Sequence, residues 1–147
     1  MLDIMLAAIL ALGPQASTSW QVIDINVEQK RVLTVDIASK PANPRADAII
    51  KARVFVTVDM PEITALTGYW SINCGNKTHQ VSNTVTFDRN GVASEPDPDP
   101  LAWEATTAGT LFEAVEDYVC RGQVKFPGKV TTGKAPIAAA NAFLTSG

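Results

Sequence analysis

The side chains with chemistry to offer are two cysteines, Cys74 and Cys120, one histidine, His79, and fifteen Asp and Glu residues. Their spacing assembles no recognised catalytic set. There is no G-x-S-x-G nucleophile turn, no H-E-x-x-H metal helix and no phosphate-cradling glycine loop; each needs its residue types at fixed offsets to converge on one site. His79 lies in a polar turn region. It could serve as a general base, and the plainer reading is an ordinary turn residue. Asp97 and Asp99 could lend oxygens to a Ca²⁺ site, which needs about six to eight of them. The prolines between these acids hold them apart, so a solvated spacer is expected. Glu113, Glu116 and Asp117 read as the wet face of a helix rather than as a catalytic carboxylate set. Two cysteines and one distant histidine fall short of the four ligands of a structural zinc. The expectation is a non-enzymatic domain with no cofactor and no metal.

The cysteines do a different kind of chemistry. Cys74 closes a run, residues 69–74, whose alternation puts Trp70, Ile72 and Cys74 on one face of a strand. Cys120 closes residues 110–120, which read as a helix. Leu111, Val115 and Val119 recur at i, i+4 and i+8, and Thr110 with Glu113 forms a capping box. Gly122 stands just past the end, where a left-handed residue is common. About three turns of helix do not stand unsupported. These are the only cysteines, and one disulfide tying the helix to a sheet is predicted, with two unpaired thiols in a reducing compartment as the alternative. Closing a loop of several dozen residues contributes roughly 4 kcal/mol, a large share of the ~5–15 kcal/mol that holds a typical domain.

The elements that must position this pair follow in order. Residues 20–27 and 32–37 read as two strands of a hairpin. The strongest strand covers residues 48–58, with Val54, Val56 and Val58 on one face and Phe55 and Thr57 on the other. Residues 62–68 are ambiguous and fit a loop over one edge. A further strand covers residues 80–88, and Asp88 and Gly91 suit the corners of a type I turn, after which residues 92–94 can return antiparallel. Residues 95–100 alternate acid or polar residues with Pro96, Pro98 and Pro100, which excludes a central strand; a polyproline II spacer is expected. Leu101, Ala102 and Trp103 are expected to re-enter the core. Tyr69, Trp70 and Trp103 fit either core packing or an exposed aromatic binding patch. Asn76, Lys77 and Thr78 spell a glycosylation sequon, meaningful only in a eukaryotic secretory protein. The fold class is therefore α+β: an antiparallel sheet of five or six strands with one C-terminal helix packed on it.

The ends differ from the body. Residues 4–12 form an uncharged apolar run, too short for the ~20 residues that cross a bilayer but suited to the core of a secretory signal. Gly13 and Pro14 break it, and cleavage after Ala16 or Ser19 is expected; a buried N-terminal helix is the alternative. No cysteine follows to take a lipid, so no membrane anchor is expected after cleavage. We divide the chain into a signal at residues 1–19, a domain at 20–122 and a basic, flexible tail at 123–147. From Ser17 onward the charges nearly balance, which gives no reason to expect nucleic acid as a partner. Yet no acid follows Asp117, while Arg121, Lys125, Lys129 and Lys134 do.

Taken together, Trp20, the run 35–39, Val54 to Val56, Asn73 with Cys74, the turn 87–91, Trp103 and the span from Gly109 to Cys120 form an ordered pattern. It resembles the surface-adhesin protein E family of exported bacterial domains. The resemblance runs from about Trp20 to Cys120. It implies a sheet with one disulfide-tied helix, residence in the periplasm or at the cell surface, and binding to host or envelope proteins. Only Cys74 and Cys120 carry over, as structural residues. A small periplasmic structural or stress-related domain without adhesion is the competing reading. Nothing in the composition sets an oligomeric state.

Overall fold

A computed structural model describes residues 19–26, 28–124 and 130–132. Five full-length strands form as the apolar alternation requires: β1 (Ser19–Asn26), β2 (Arg31–Asp36), β3 (Ile49–Thr57), β4 (Ala65–Asn73) and β5 (Thr78–Phe87). Two short ones, β6 (Glu104–Ala105) and β7 (Val130–Thr132), extend the edges. All seven pair antiparallel in the order β6-β5-β4-β3-β2-β1-β7. One α-helix, α1 (Leu111–Arg121), follows β6 among the described residues.

The two faces are sorted by side-chain parity. Ile23, Leu33, Val35, Ile50, Ala52, Val54, Val56, Trp70 and Ile72 meet Ala114, Val115, Tyr118 and Val119 of α1 in one buried cluster. The helix therefore covers the face that carries Trp70, Ile72 and Cys74, as the alternation requires. The opposite face carries smaller clusters, Trp20 with Phe55, Ala65 and Phe87, and Val22 with Val32 and Ile25. β1 serves both faces because a register shift between Val22 and Asp24 turns Ile23 toward the helix.

Residues 65–68, ambiguous in the sequence, belong to β4. The pairing runs unbroken from Ile49 opposite Asn73 to Thr57 opposite Ala65, so a nine-residue partner recruits a stretch whose own signal is weak. Gly68 marks where β5 shifts register between Thr67 and Tyr69. A Cβ there would stand 3.1 Å from the Ser82 carbonyl oxygen, so any larger residue would push β5 away by a few tenths of an ångström.

At the start of α1, the Thr110 hydroxyl accepts from the Glu113 N–H (3.3 Å), while the Glu113 carboxylate accepts from the N–H of Gly109 (3.2 Å) rather than of Thr110. Gly122 closes the helix in the left-handed region at φ 69°, its N–H bonded to the carbonyls of Asp117 and Tyr118. Cys74, just past β4, and Cys120, in the last turn of α1, are joined, with their Cα atoms 5.9 Å apart.

The acidic proline stretch is not a free spacer. It is laid along the outer edge of β5. Ser94 N–H donates to Thr86 O (2.8 Å), Asp97 N–H to Thr84 O (3.1 Å) and Leu101 N–H to Val81 O (2.9 Å). Expected to re-enter the core, Leu101 and Trp103 instead stay exposed (62% and 43%), because Leu101 spends its backbone on the sheet edge and β6 then continues along Thr78 and His79. The return over residues 92–94 is a single bridge, Ala93 to Phe87. Three residues of the tail form β7 beside Ser19 to Gln21. The rest of the tail, including a short helix expected near residues 136–144, and the expected signal segment lie outside the described residues.

Cys74 and Cys120 are 46 positions apart. Replacing both with serine lowers the unfolding free energy by roughly 4 kcal/mol. Urea unfolding followed by tryptophan fluorescence checks this; an unchanged midpoint would show that the staple does not stabilise the fold.

Candidate functional site

The chemistry-bearing residues divide between the helix–sheet interface and the surface. His79 pairs with Ile72 across β4 and β5, so it faces the helix with Val81. It is buried (5% exposed) rather than placed in a solvated turn. The turn residues before it, 74–77, are what made the region read as polar; the parity of Val81 was the signal that placed His79 inward. Its Nδ1 lies 2.9 Å from the Thr106 hydroxyl. Its ring stacks on Phe112, centroids 3.6 Å apart, and Phe112 in turn packs on Trp70 at 4.5 Å. Burial holds the imidazole below its ordinary pKa, partly offset by the negative charges of Glu104 and Glu116.

Glu116, expected on the wet side of the helix, is 2% exposed. Helical parity makes it so: it follows Phe112 by one turn and precedes Cys120 by one turn, and both of those side chains face the sheet. One carboxylate oxygen accepts from Arg121 Nη2 (3.0 Å) and the other has no hydrogen-bond partner. Arg121 also binds Asp117, so one guanidinium serves two carboxylates. A buried carboxylate needs such a partner, because desolvating an unpaired ion costs several kcal/mol. Glu116 was missed because an acid is a poor prior for a buried site, and only Arg121 five residues on hints at its partner.

A cavity of about 160 Å³ opens between β1 and the end of α1, lined by Ile23, Ala114, Asp117, Gln123 and Val124. Neither His79 nor Glu116 borders it. Among the described residues no group of three or more His, Cys, Asp or Glu is arranged to hold a metal ion. Asp97 and Asp99 are exposed on the strap along β5, where Asp97 Oδ1 accepts the Asp99 N–H (3.2 Å). Asn76 is exposed at the β4–β5 turn, where its side-chain oxygen accepts from Thr78.

The sheet face turned away from α1 offers a different surface. Lys51 on β3 lies over the ring of Tyr69 on β4, with Nζ 4.7 Å from the centroid, and Arg53 lies over Trp20 at 5.2 Å. Arg53 also faces Asp36 at 4.0 Å. Tyr69, Ser71, Gln80 and Ser82 share this face, half-exposed. Of the three aromatic residues left open by the sequence, Trp70 is core, Tyr69 is on this surface and Trp103 is exposed at the edge.

No known protein family, curated protein or solved structure matches this chain. No helix among the described residues is long and apolar enough to cross a membrane.

The lowered pKa of His79 sets a pH dependence. In the unfolded chain the imidazole titrates near its ordinary 6.5; in the fold it titrates lower. The stability that the neutral ring contributes is complete above about 6.5 and is lost as pH falls from there toward the folded value, at up to about 1.4 kcal/mol per pH unit. Urea midpoints measured at descending pH should fall across this window in the wild type and fall less steeply in His79→Gln.

Proposed function

We propose that this is an exported, non-enzymatic binding module of the surface-adhesin E type, acting at the periplasm or cell surface on a host or envelope macromolecule. The observation that carries the reading is the open sheet face. Lys51 and Tyr69 are stacked there on the paired strands β3 and β4, and Arg53 is held over the buried ring of Trp20; Tyr and Arg are among the side chains that most often anchor protein interfaces. Because β3 and β4 are central strands and each cation is already stacked on a ring, little ordering entropy is lost when a partner docks. A disulfide formed between the only two cysteines favours an oxidising compartment. The ordered resemblance from Trp20 to Cys120 supplies the adhesin type. On the other face, the buried histidine and carboxylate are engaged by Thr106, Phe112 and Arg121 and so serve helix docking.

The test is a binding screen of the disulfide-bonded protein against immobilised extracellular-matrix proteins and outer-envelope proteins, paired with fractionation of expressing cells. Export and saturable binding to a member of either set are expected. Tyr69→Ala and Arg53→Ala should each weaken that binding about tenfold or more, equivalent to at least ~1.4 kcal/mol, with unfolding still cooperative. Retention in the cytoplasm, or binding indifferent to both substitutions, would overturn the proposal.

A further inference from the structure

The outer margin of β5 gathers apolar side chains that the fold leaves uncovered. Six large apolar residues are exposed among the described residues, and three of them, Val92, Leu101 and Trp103, lie along this one margin. Their backbone is fixed there. The Asp88 N–H donates to Val92 O (3.0 Å), and the N–H groups of Ser94, Asp97 and Leu101 donate to β5. Gln80 Nε2 donates to the Leu101 carbonyl (3.1 Å), and the Thr106 N–H to Lys77 O (2.9 Å). Three prolines hold φ in between. Among the apolar residues stand Glu95, Asp97, Asp99 and Glu104, all exposed. None of these four enters an ion pair among the described residues, and from residue 90 to residue 120 the chain has seven acids and no base. The margin runs from Ala93 beside Phe87 to Glu104 beside His79, about 27 Å at ~3.4 Å per strand residue.

We propose that this margin is a docking site for a lysine- and arginine-rich segment of a partner protein. Charge complementarity decides the occupant. Four unpaired carboxylates receive the cationic heads, while Leu101 and Trp103 receive the aliphatic stems, which lie along apolar surface when the charge stays in water. The Trp103 ring adds a cation–π seat. Trp is among the residues that dominate interface energies, and a backbone already held in place loses little freedom on docking. Nucleic acid or anionic lipid would bring like charge to this margin, which is costly. Pro96, Pro98 and Pro100 offer no amide hydrogen, so the partner engages side chains rather than adding a strand. An extended segment of about eight residues covers the length. This site goes beyond the open-face reading and uses a different part of the molecule.

The probe is a fluorescein-labelled peptide of about eight residues, lysines and arginines around a central leucine, titrated with the purified, disulfide-bonded protein and read by fluorescence anisotropy. Saturable binding is expected, weakening at least tenfold between about 0.1 M and about 1 M salt as the screening length falls from about 10 Å to about 3 Å. The same peptide with glutamate at every basic position should not bind. Trp103→Ala should weaken binding about tenfold, and Asp97→Asn with Asp99→Asn should weaken it as much and flatten the salt dependence. All three positions are exposed, and circular dichroism checks that each variant is folded. Two-dimensional amide NMR of the labelled protein should place the shifts within residues 92–105. No saturable binding, equal binding of the acidic peptide, indifference to both variants, or shifts centred on Lys51 and Tyr69 would each overturn the inference. So would calcium chloride alone moving the same amides, which would make the acids a metal site, or a salt-sensitive dimer lost in Trp103→Ala, which would give the margin to a second copy. Failure here with matrix or envelope binding intact leaves the proposed function standing; peptide binding at this margin without any such ligand does the reverse.

Discussion

A three-turn helix is held against a sheet that it could not dress without being tied down, and most of the molecule follows from that. The helix brings Val115, Val119, Tyr118 and Ala114 to cover a stripe running from Ile23 on β1 to Ile72 on β4. Such a short rod gains too little from its own hydrogen bonds to persist in water. Its hold comes from burial on the sheet and from a covalent tether at its last turn. The cap at Thr110 and the left-handed Gly122 set where the rod starts and stops. The tether sets which strand lies beneath it. With both ends specified, the lateral position of the helix on the sheet has little freedom left.

That arrangement explains why two polar groups are buried. Phe112, Glu116 and Cys120 lie one turn apart on the side facing the tether. Phe112 finds His79 and Trp70; Cys120 finds Cys74. Glu116 is carried inward between them by helical geometry and is made tolerable by Arg121. The carboxylate and the imidazole are thus consequences of where the helix is pinned, and the imidazole couples its seating to proton concentration.

Much of this was legible in the residues. The parity of Val54, Val56 and Val58 against Phe55 and Thr57 marked β3 and both its faces. The parity of Trp70, Ile72 and Cys74 marked the face under the helix, and the two cysteines marked the tether. What was not legible depended on partners distant in sequence. Residues 65–68 become strand only because β3 is long enough to pair with them. Glu116 reads as solvated until the sheet is placed under its turn. The proline stretch reads as a spacer until β5 is seen to have most of its outer carbonyls and amides left unspent by the two-residue β6. In each case a local preference was weak and a long-range hydrogen bond or contact decided. The open face was visible only in part: Tyr69 was singled out, whereas the stacking of Lys51 on Tyr69 needs the register between β3 and β4, and that of Arg53 on Trp20 needs the order of β3, β2 and β1.

The strap also governs how this molecule behaves when crowded. Asp97 and Leu101 spend their amides on β5, Asp99 donates to the Asp97 side chain, and Pro96, Pro98 and Pro100 have no hydrogen to give. A strand from a neighbour therefore finds no donor row at this margin to zip onto, which is the step by which bare sheet edges grow into fibrils.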